Sequence, residues 1–227
     1  MHVKEKIVAF VPVKLSNERL PGKNTKAFEN GEPLISYILK TLCAAQGIDE
    51  IYVYCSDPAI CAFLPEEVCF LRRDPELDSS TTLILEVLRS FAANVEADIY
   101  VLAHATAPFL RKETIEKGIK AVASGAHDSA MAVTPVREFL WHNGQPLYNT
   151  TRIPRTQDMR DTCRETTGLY VYTHGLIAQG HRIGQNPCLL EVDDVEAVDI
   201  NGPIDFLVAQ QIFNQMQEDG GNPQCQT

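Results

Sequence analysis

The sequence predicts an α/β fold, with three layers built on a mixed, mostly parallel sheet. Two observations carry the prediction. Apolar segments of strand length alternate with helical stripes through residue 135, the pattern of parallel strands joined by right-handed crossovers. The first of them, Ile7–Val13 (IVAFVPV), is a seven-residue apolar run rich in β-branched residues, as a strand buried on both faces requires. The 227 residues, 44% of them hydrophobic, suit one domain with a full core.

In chain order, Leu34, Ile35, Ile38, Leu39 and Leu42 form one helical stripe. Ile51–Cys55 and Val68–Leu71 read as short strands. Leu83, Val87, Leu88 and Phe91 recur at helical spacing, with Asp78, Ser79 or Ser80 available as the N-cap. Ile99–Ala103 is a strand; Ile115, Ile119 and Val122 mark the helix behind it, and Ala130–Thr134 is the next strand. The rhythm changes near Val136. Residues 139–160 are rich in Pro, Asn and Thr and read as a hairpin excursion, bounded at about 136–165 and suited to dimer contact. Gly168–Thr173 and Cys188–Val192 read as returning strands. A final helix runs from Pro203 to Gln217, with Ile204, Leu207, Val208, Ile212 and Phe213 on its apolar side. The expected domain covers residues 1–217, leaving 218–227 as a flexible tail.

Bulk properties exclude several classes of function. A formal charge of −10 argues against a nucleic-acid partner. No apolar run reaches the roughly 18 residues of a membrane span, and the charged N-terminus lacks a signal-peptide apolar region, so a cytoplasmic location is expected. The seven cysteines lack CxxC spacing and read as reduced thiols, neither a disulfide framework nor a zinc site.

The polar loop after the first strand carries Lys14, Arg19 and Lys23 around a Pro21-Gly22 turn. Three cations at the carboxyl end of a parallel strand point to a polyanion site. No GxxxxGK[ST] or GxGxxG competes. A triphosphate carries more charge than any one side chain offsets, and a helix end contributes only about 0.3–1 kcal/mol, so several cations and a divalent metal are needed.

This loop, KLSNERLPGKN, resembles the signature near RxxSKRLPGKN of the cytidylyltransferases that activate sialic acids and related sugar acids, where it wraps the triphosphate of CTP. Arg19, Lys23 and Asn24 match, while Lys14 stands for the usual Arg and loses its bidentate geometry. The resemblance implies nucleotide contacts from Lys14, Ser16 and Asn24 and catalytic charge from Arg19 and Lys23. LAHATAP resembles the family's LQPTSP, with His104 in place of Gln on the nucleotide and Thr106 on the acceptor side; alternatively His104 is a ligand-free strand-end histidine. Arg73, with Ser80 to Thr82, resembles its R-P-x-x-L-x-x-D-x-x-S stretch near cytosine and ribose; alternatively Arg72-Arg73 is a solvated arginine pair and the serine stretch an ordinary helix N-cap. VDINGPIDF resembles IDIDTxxDF, whose two aspartates hold the metal. Asp199 matches as catalytic metal ligand; Asn201 takes the second place or caps the final helix. RTQDMRDTCRETTGLYVY resembles RRQDLPxVYRENGAIYI, which brings the sugar acid to the site. There Arg155, Gln157 and Arg164 are acceptor candidates, Arg155 and Arg164 suiting interface ion pairs equally, and Thr166-Thr167 replaces Asn-Gly.

Together these blocks span residues 7–206 and imply a Rossmann-like nucleotide-diphospho-sugar transferase architecture. The implied reaction moves CMP from CTP to a nonulosonic sugar acid, with Mg²⁺ as cofactor and a homodimer as the assembly. Two alternatives stay open: an eight-carbon ketosugar acid as acceptor, although such enzymes usually carry an Asp where this chain has Ala105 and Thr106, and a non-catalytic nucleotide-binding paralogue.

Overall fold

Parallel strands joined by helices need both sheet faces covered, and the chain meets that need with a seven-stranded sheet between helical layers. The structure, a computed structural model, describes residues 4–159, 162–218 and 220. The strands are β1 (Ile7–Val13), β2 (Glu50–Cys55), β3 (Val68–Arg72), β4 (Ile99–Ala103) and β5 (Ser129–Pro135), a small pair β6 (Trp141–His142) and β7 (Gln145–Pro146), then β8 (Cys163–Thr173) and β9 (Pro187–Glu191). The helices are α1 (Leu34–Ala44), α2 (Ile84–Asn94), α3 (Lys112–Ala123), α4 (His174–Ala178) and α5 (Pro203–Glu218). The sheet order is β3-β2-β1-β4-β8-β5-β9. Among the described strands of this sheet, only β8 runs against its neighbours, antiparallel to both β4 and β5.

The pleat of β1 divides the core. Ile7, Ala9, Val11 and Val13 pack with Ile35, Ile38 and Leu39 of α1 and Ile115 of α3. Val8 and Phe10 face Val87, Leu88 and Phe91 of α2 and Leu176 of α4. Phe91 is the hub of that second face: it stacks on Phe10 at 4.1 Å and meets Tyr54 edge-on at 5.4 Å. A third cluster joins α5 to α1 and the first loop through Phe28, Leu34, Tyr37, Phe206 and Phe213.

The start of α2 differs from expectation. None of Asp78, Ser79 and Ser80 caps it, because Pro75–Asp78 form a separate 3-10 turn and Leu83 occupies the cap position, 68% exposed. The Glu86 carboxylate accepts instead from the Leu83 amide at 2.6 Å. Glu86→Ala is therefore expected to cost about 1 kcal/mol in denaturant unfolding; an unchanged midpoint would remove this cap from the account.

The apolar side of α5 also differs. Phe206, Ala209 and Phe213 are buried, whereas Ile204, Leu207 and Val208 are half or more exposed. Two apolar stripes share this helix, and packing on α1 selects the one carrying the phenylalanines.

Within the excursion, β6 and β7 pair antiparallel around Asn143-Gly144, both at positive φ. Val136 N donates to Thr162 O at 2.8 Å where the segment leaves and returns. Of the expected tail, only residues 218 and 220 lie within the described residues. Among the described residues, no helix is long and apolar enough to cross a membrane.

Candidate active site

The carboxyl ends of β1 and β4 and the amino-terminal half of β8 open on one edge, the position where α/β sheets take ligands. The segment before α5 is fastened there. Ile200 N donates to Thr106 O at 2.9 Å, and Lys23 Nζ donates to Ile200 O at 2.7 Å. Arg19 Nη1 donates to Asn201 Oδ1 at 3.3 Å, and Asn201 Nδ2 donates to Asp199 Oδ2 at 2.6 Å. Residues far apart in sequence thus form one chain of contacts, Arg19–Asn201–Asp199, with Lys23 beside it. The β1 loop is braced internally: buried Asn24 donates to Lys14 O at 3.0 Å, and Gly22 adopts φ 65° in its turn. Asn24 therefore spends its amide on loop shape.

Burial pushes the half-buried Lys23 ammonium below its ordinary pKa. Asp199 and Asp205 work the other way, while Arg19 and Lys14 reinforce the drop. Like charges gathered this way favour a bound anion.

On the β8 side, a cleft of about 300 Å³ is lined by Arg164, Thr166, Thr167, Asp199, Asn201 and Val208. Thr167 holds φ 61°, a left-handed backbone that a β-branched residue rarely adopts. The pattern this segment resembles has Gly at that place. The Thr167 carbonyl accepts from His104 Nδ1 at 2.6 Å, and burial holds His104 below its usual pKa. Next to it, a Cβ on Gly168 would lie 2.8 Å from Ala107 Cβ. Gly168→Ala is expected to destabilise the fold by about 1–3 kcal/mol and to lower activity by displacing the 104–107 turn. A variant with unchanged melting temperature and rate would contradict that.

The α5 cap corrects a second expectation. Asp205 Oδ2 accepts from Asn201 N at 3.0 Å and Gly202 N at 2.7 Å, so Asp205 and not the Asn201 side chain closes the helix start. Asn201 turns its NH₂ to Asp199 and its oxygen to Arg19. Among the described residues no group of three or more His, Cys, Asp or Glu is placed to hold a metal. Asp199 fits a Mg²⁺ whose other ligands come from phosphates and water. Asn201, as oriented, presents no oxygen to share with Asp199.

Arg73 is buried and ion-paired with Asp78, which also accepts from Ser56 Oγ at 2.5 Å; this corrects the solvated-arginine alternative. Its Nε is buried without a partner. Lys14 Nζ reaches Asp78 O at 3.4 Å, linking this corner to the basic loop. Ser16 is exposed in that loop, and Ser80 is exposed in the turn before α2. Arg155 and Gln157 lie exposed on the excursion, where Arg155 pairs with Asp158 at 2.7 Å; neither is among the residues that line the cleft. One group escaped the sequence reading: Arg182 bonds Glu165 at 2.5 Å and lies 5.0 Å from the Tyr170 ring. Arg182 sits in a loop without a motif, so nothing local marked it.

A family model described as cytidylyltransferase matches residues 8–187. The chain belongs to the cytidylyltransferase family. This cytidylyltransferase is 25% identical to the CMP-N,N'-diacetyllegionaminic acid synthase of Legionella pneumophila, over 94% of this chain and 98% of that protein. It is 24% identical to N-acylneuraminate cytidylyltransferase A of Danio rerio over 90% of this chain, spanning half the length of that relative. It also shares its fold with CMP:2-keto-3-deoxy-manno-octonic acid synthetase complexed with CTP, at TM-score 0.67 and 19% identity, covering 92% of this chain and 99% of that one.

Proposed function

We propose that this cytidylyltransferase transfers CMP from CTP to the anomeric hydroxyl of a sialic-acid-like sugar acid, releasing pyrophosphate. It acts with Mg²⁺, as a cytoplasmic homodimer. The observation that carries the reading is the meeting of Lys23 and Arg19 with residues 199–201 beside the cleft that Arg164 lines. The names of the Legionella and Danio relatives support the acceptor class.

In the reaction the anomeric oxygen bonds to the α-phosphorus. The bond from that phosphorus to the bridging oxygen breaks, and pyrophosphate leaves with the electron pair. Lys14, Arg19 and Lys23 offset the charge that gathers on it. Arg164 suits the acceptor carboxylate, a planar partner for its guanidinium. Asp199 would hold the divalent ion, which when bound withdraws charge from the phosphate oxygens. Positioning and electrostatics supply the rate, without a covalent nucleophile. The exposed Phe139, Trp141, Leu147 and Ile153 of the excursion are the surface a second copy would cover.

The test is pyrophosphate release with CTP, Mg²⁺ and a panel of nine-carbon and eight-carbon sugar acids. Turnover with an N-acylated nine-carbon acid is expected. Preference for the eight-carbon acid would reassign the acceptor, and CTP binding by calorimetry without turnover on any acceptor would overturn the reading.

A further inference from the structure

The cleft that Arg164 lines also carries Glu165, the next residue of β8 and its opposite in charge. We infer that Glu165 binds the acceptor, its Oε1 taking a hydrogen bond from a sugar hydroxyl, and that Arg182 positions its carboxylate. The inference rests on the proposed cytidyl transfer and adds a determinant of acceptor specificity to it.

Two donors fix the carboxylate. Tyr170 Oη donates to Glu165 Oε2 at 2.6 Å, and Arg182 Nη2 donates to the same oxygen at 2.5 Å. Neither bond uses Oε1. A carboxylate paired with a guanidinium has about four acceptor positions and no hydrogen to give, so its remaining capacity calls for a donor. The Glu165 side chain is 30% exposed, which leaves a ligand room to reach it.

Arg182 comes to this corner from the far edge of the sheet. Its loop is tied to the start of β5, where Gly184 N donates to Ser129 Oγ at 3.2 Å and Gln185 N to Asp128 Oδ2 at 2.7 Å. Glu165 stands opposite Val133, further along the same strand. The side chain bridges that distance across the Tyr170 ring, its guanidinium carbon 5.0 Å from the centroid. A part-exposed ion pair contributes little to folding, and ordering a long arginine costs side-chain entropy. A bound ligand explains the arrangement better than stability does.

The charges then orient the acceptor. Its carboxylate is drawn to Arg164 and repelled by Glu165, which is left to the neutral hydroxyls. Arg182 supplies the counter-ion of Glu165, a role that the neighbouring Arg164 would otherwise fill. Opposite signs on adjacent residues thus select a molecule bearing both an acid and hydroxyls, and turn it one way in the cleft.

The experiment is pyrophosphate release by Glu165→Gln, Arg182→Met and Arg182→Lys, with the KM of CTP and of the sugar acid read separately. Glutamine removes the charge at constant size, and methionine keeps apolar contact with the Tyr170 ring. Weakening a charge-assisted hydrogen bond is expected to raise the acceptor KM about tenfold in Glu165→Gln and Arg182→Met, with kcat and the CTP KM within about threefold of the parent. Arg182→Lys should recover part of the loss, since it restores the charge without the fork. Among acceptors each lacking one hydroxyl, parent and Glu165→Gln should converge on one. An unchanged acceptor KM in Glu165→Gln, or a CTP KM that rises in step with it, overturns the inference and leaves cytidyl transfer standing. A constant ratio of parent to variant across every deoxy acceptor does the same. Folded Arg182→Met with the parent's acceptor KM removes the positioning role; should that variant not fold, Arg182→Lys and Glu165→Gln decide. A parent enzyme without turnover on any acceptor removes both readings.

Discussion

Lys23→Ala is expected to reduce turnover about a hundredfold with little change in melting temperature. The side chain does two things at once. Its Nζ bonds Ile200 O at 2.7 Å, pinning the 199–201 segment, and its charge stands with Arg19 where a departing pyrophosphate needs it. Lys23→Arg separates the two: it keeps the charge but places a planar fork where a point donor fits, so a partial recovery is expected. Steady-state kinetics of pyrophosphate release check both variants. Alanine kinetics within threefold of the parent enzyme would take this loop out of the triphosphate site.

The second large effect belongs to Asp199. Replacing it by Ala is expected to raise the Mg²⁺ needed for half-maximal rate at least tenfold or to abolish turnover, since a metal's share of transition-state stabilisation is several kcal/mol. Asp199 is the carboxylate that contacts Asn201 in the cleft, and Asn201 is held away from a ligand role by Arg19. Asn201→Asp is therefore the informative partner: a second carboxylate there should lower the Mg²⁺ requirement. A metal titration curve that moves in neither variant would place the ion elsewhere.

Much of the fold was legible because burial on both faces leaves a plain mark. The apolar run 7–13 became β1 at its expected limits, and β4 likewise. Legibility failed where two local solutions were equally good. Three polar residues before α2 could each have capped it, yet tertiary packing began the helix beyond them and left Glu86 to satisfy Leu83. At α5, two apolar stripes competed and only the position of α1 decided between them. The site was partly legible through local motif: the Lys14–Asn24 loop and Asp199 stood out as blocks, but nothing in sequence spacing tells that Arg19 reaches Asn201. Arg155 and Gln157 carried the same motif weight as Arg164, yet only Arg164 lines the cleft. The role of Thr167 needed a dihedral angle, which composition does not encode.

The single reversed strand has a consequence for how the molecule could diversify. β5 ends beside the point where β8 begins, with Pro135 opposite Cys163, so everything between them hangs from one hinge-like joint at the ligand-bearing edge. Closing a longer or shorter segment across that joint changes the entropy only logarithmically with length. The joint is thus a socket: residues 136–162 could be exchanged for another insert, altering what approaches the cleft, while the paired strands that feed Arg164 into it stay in register.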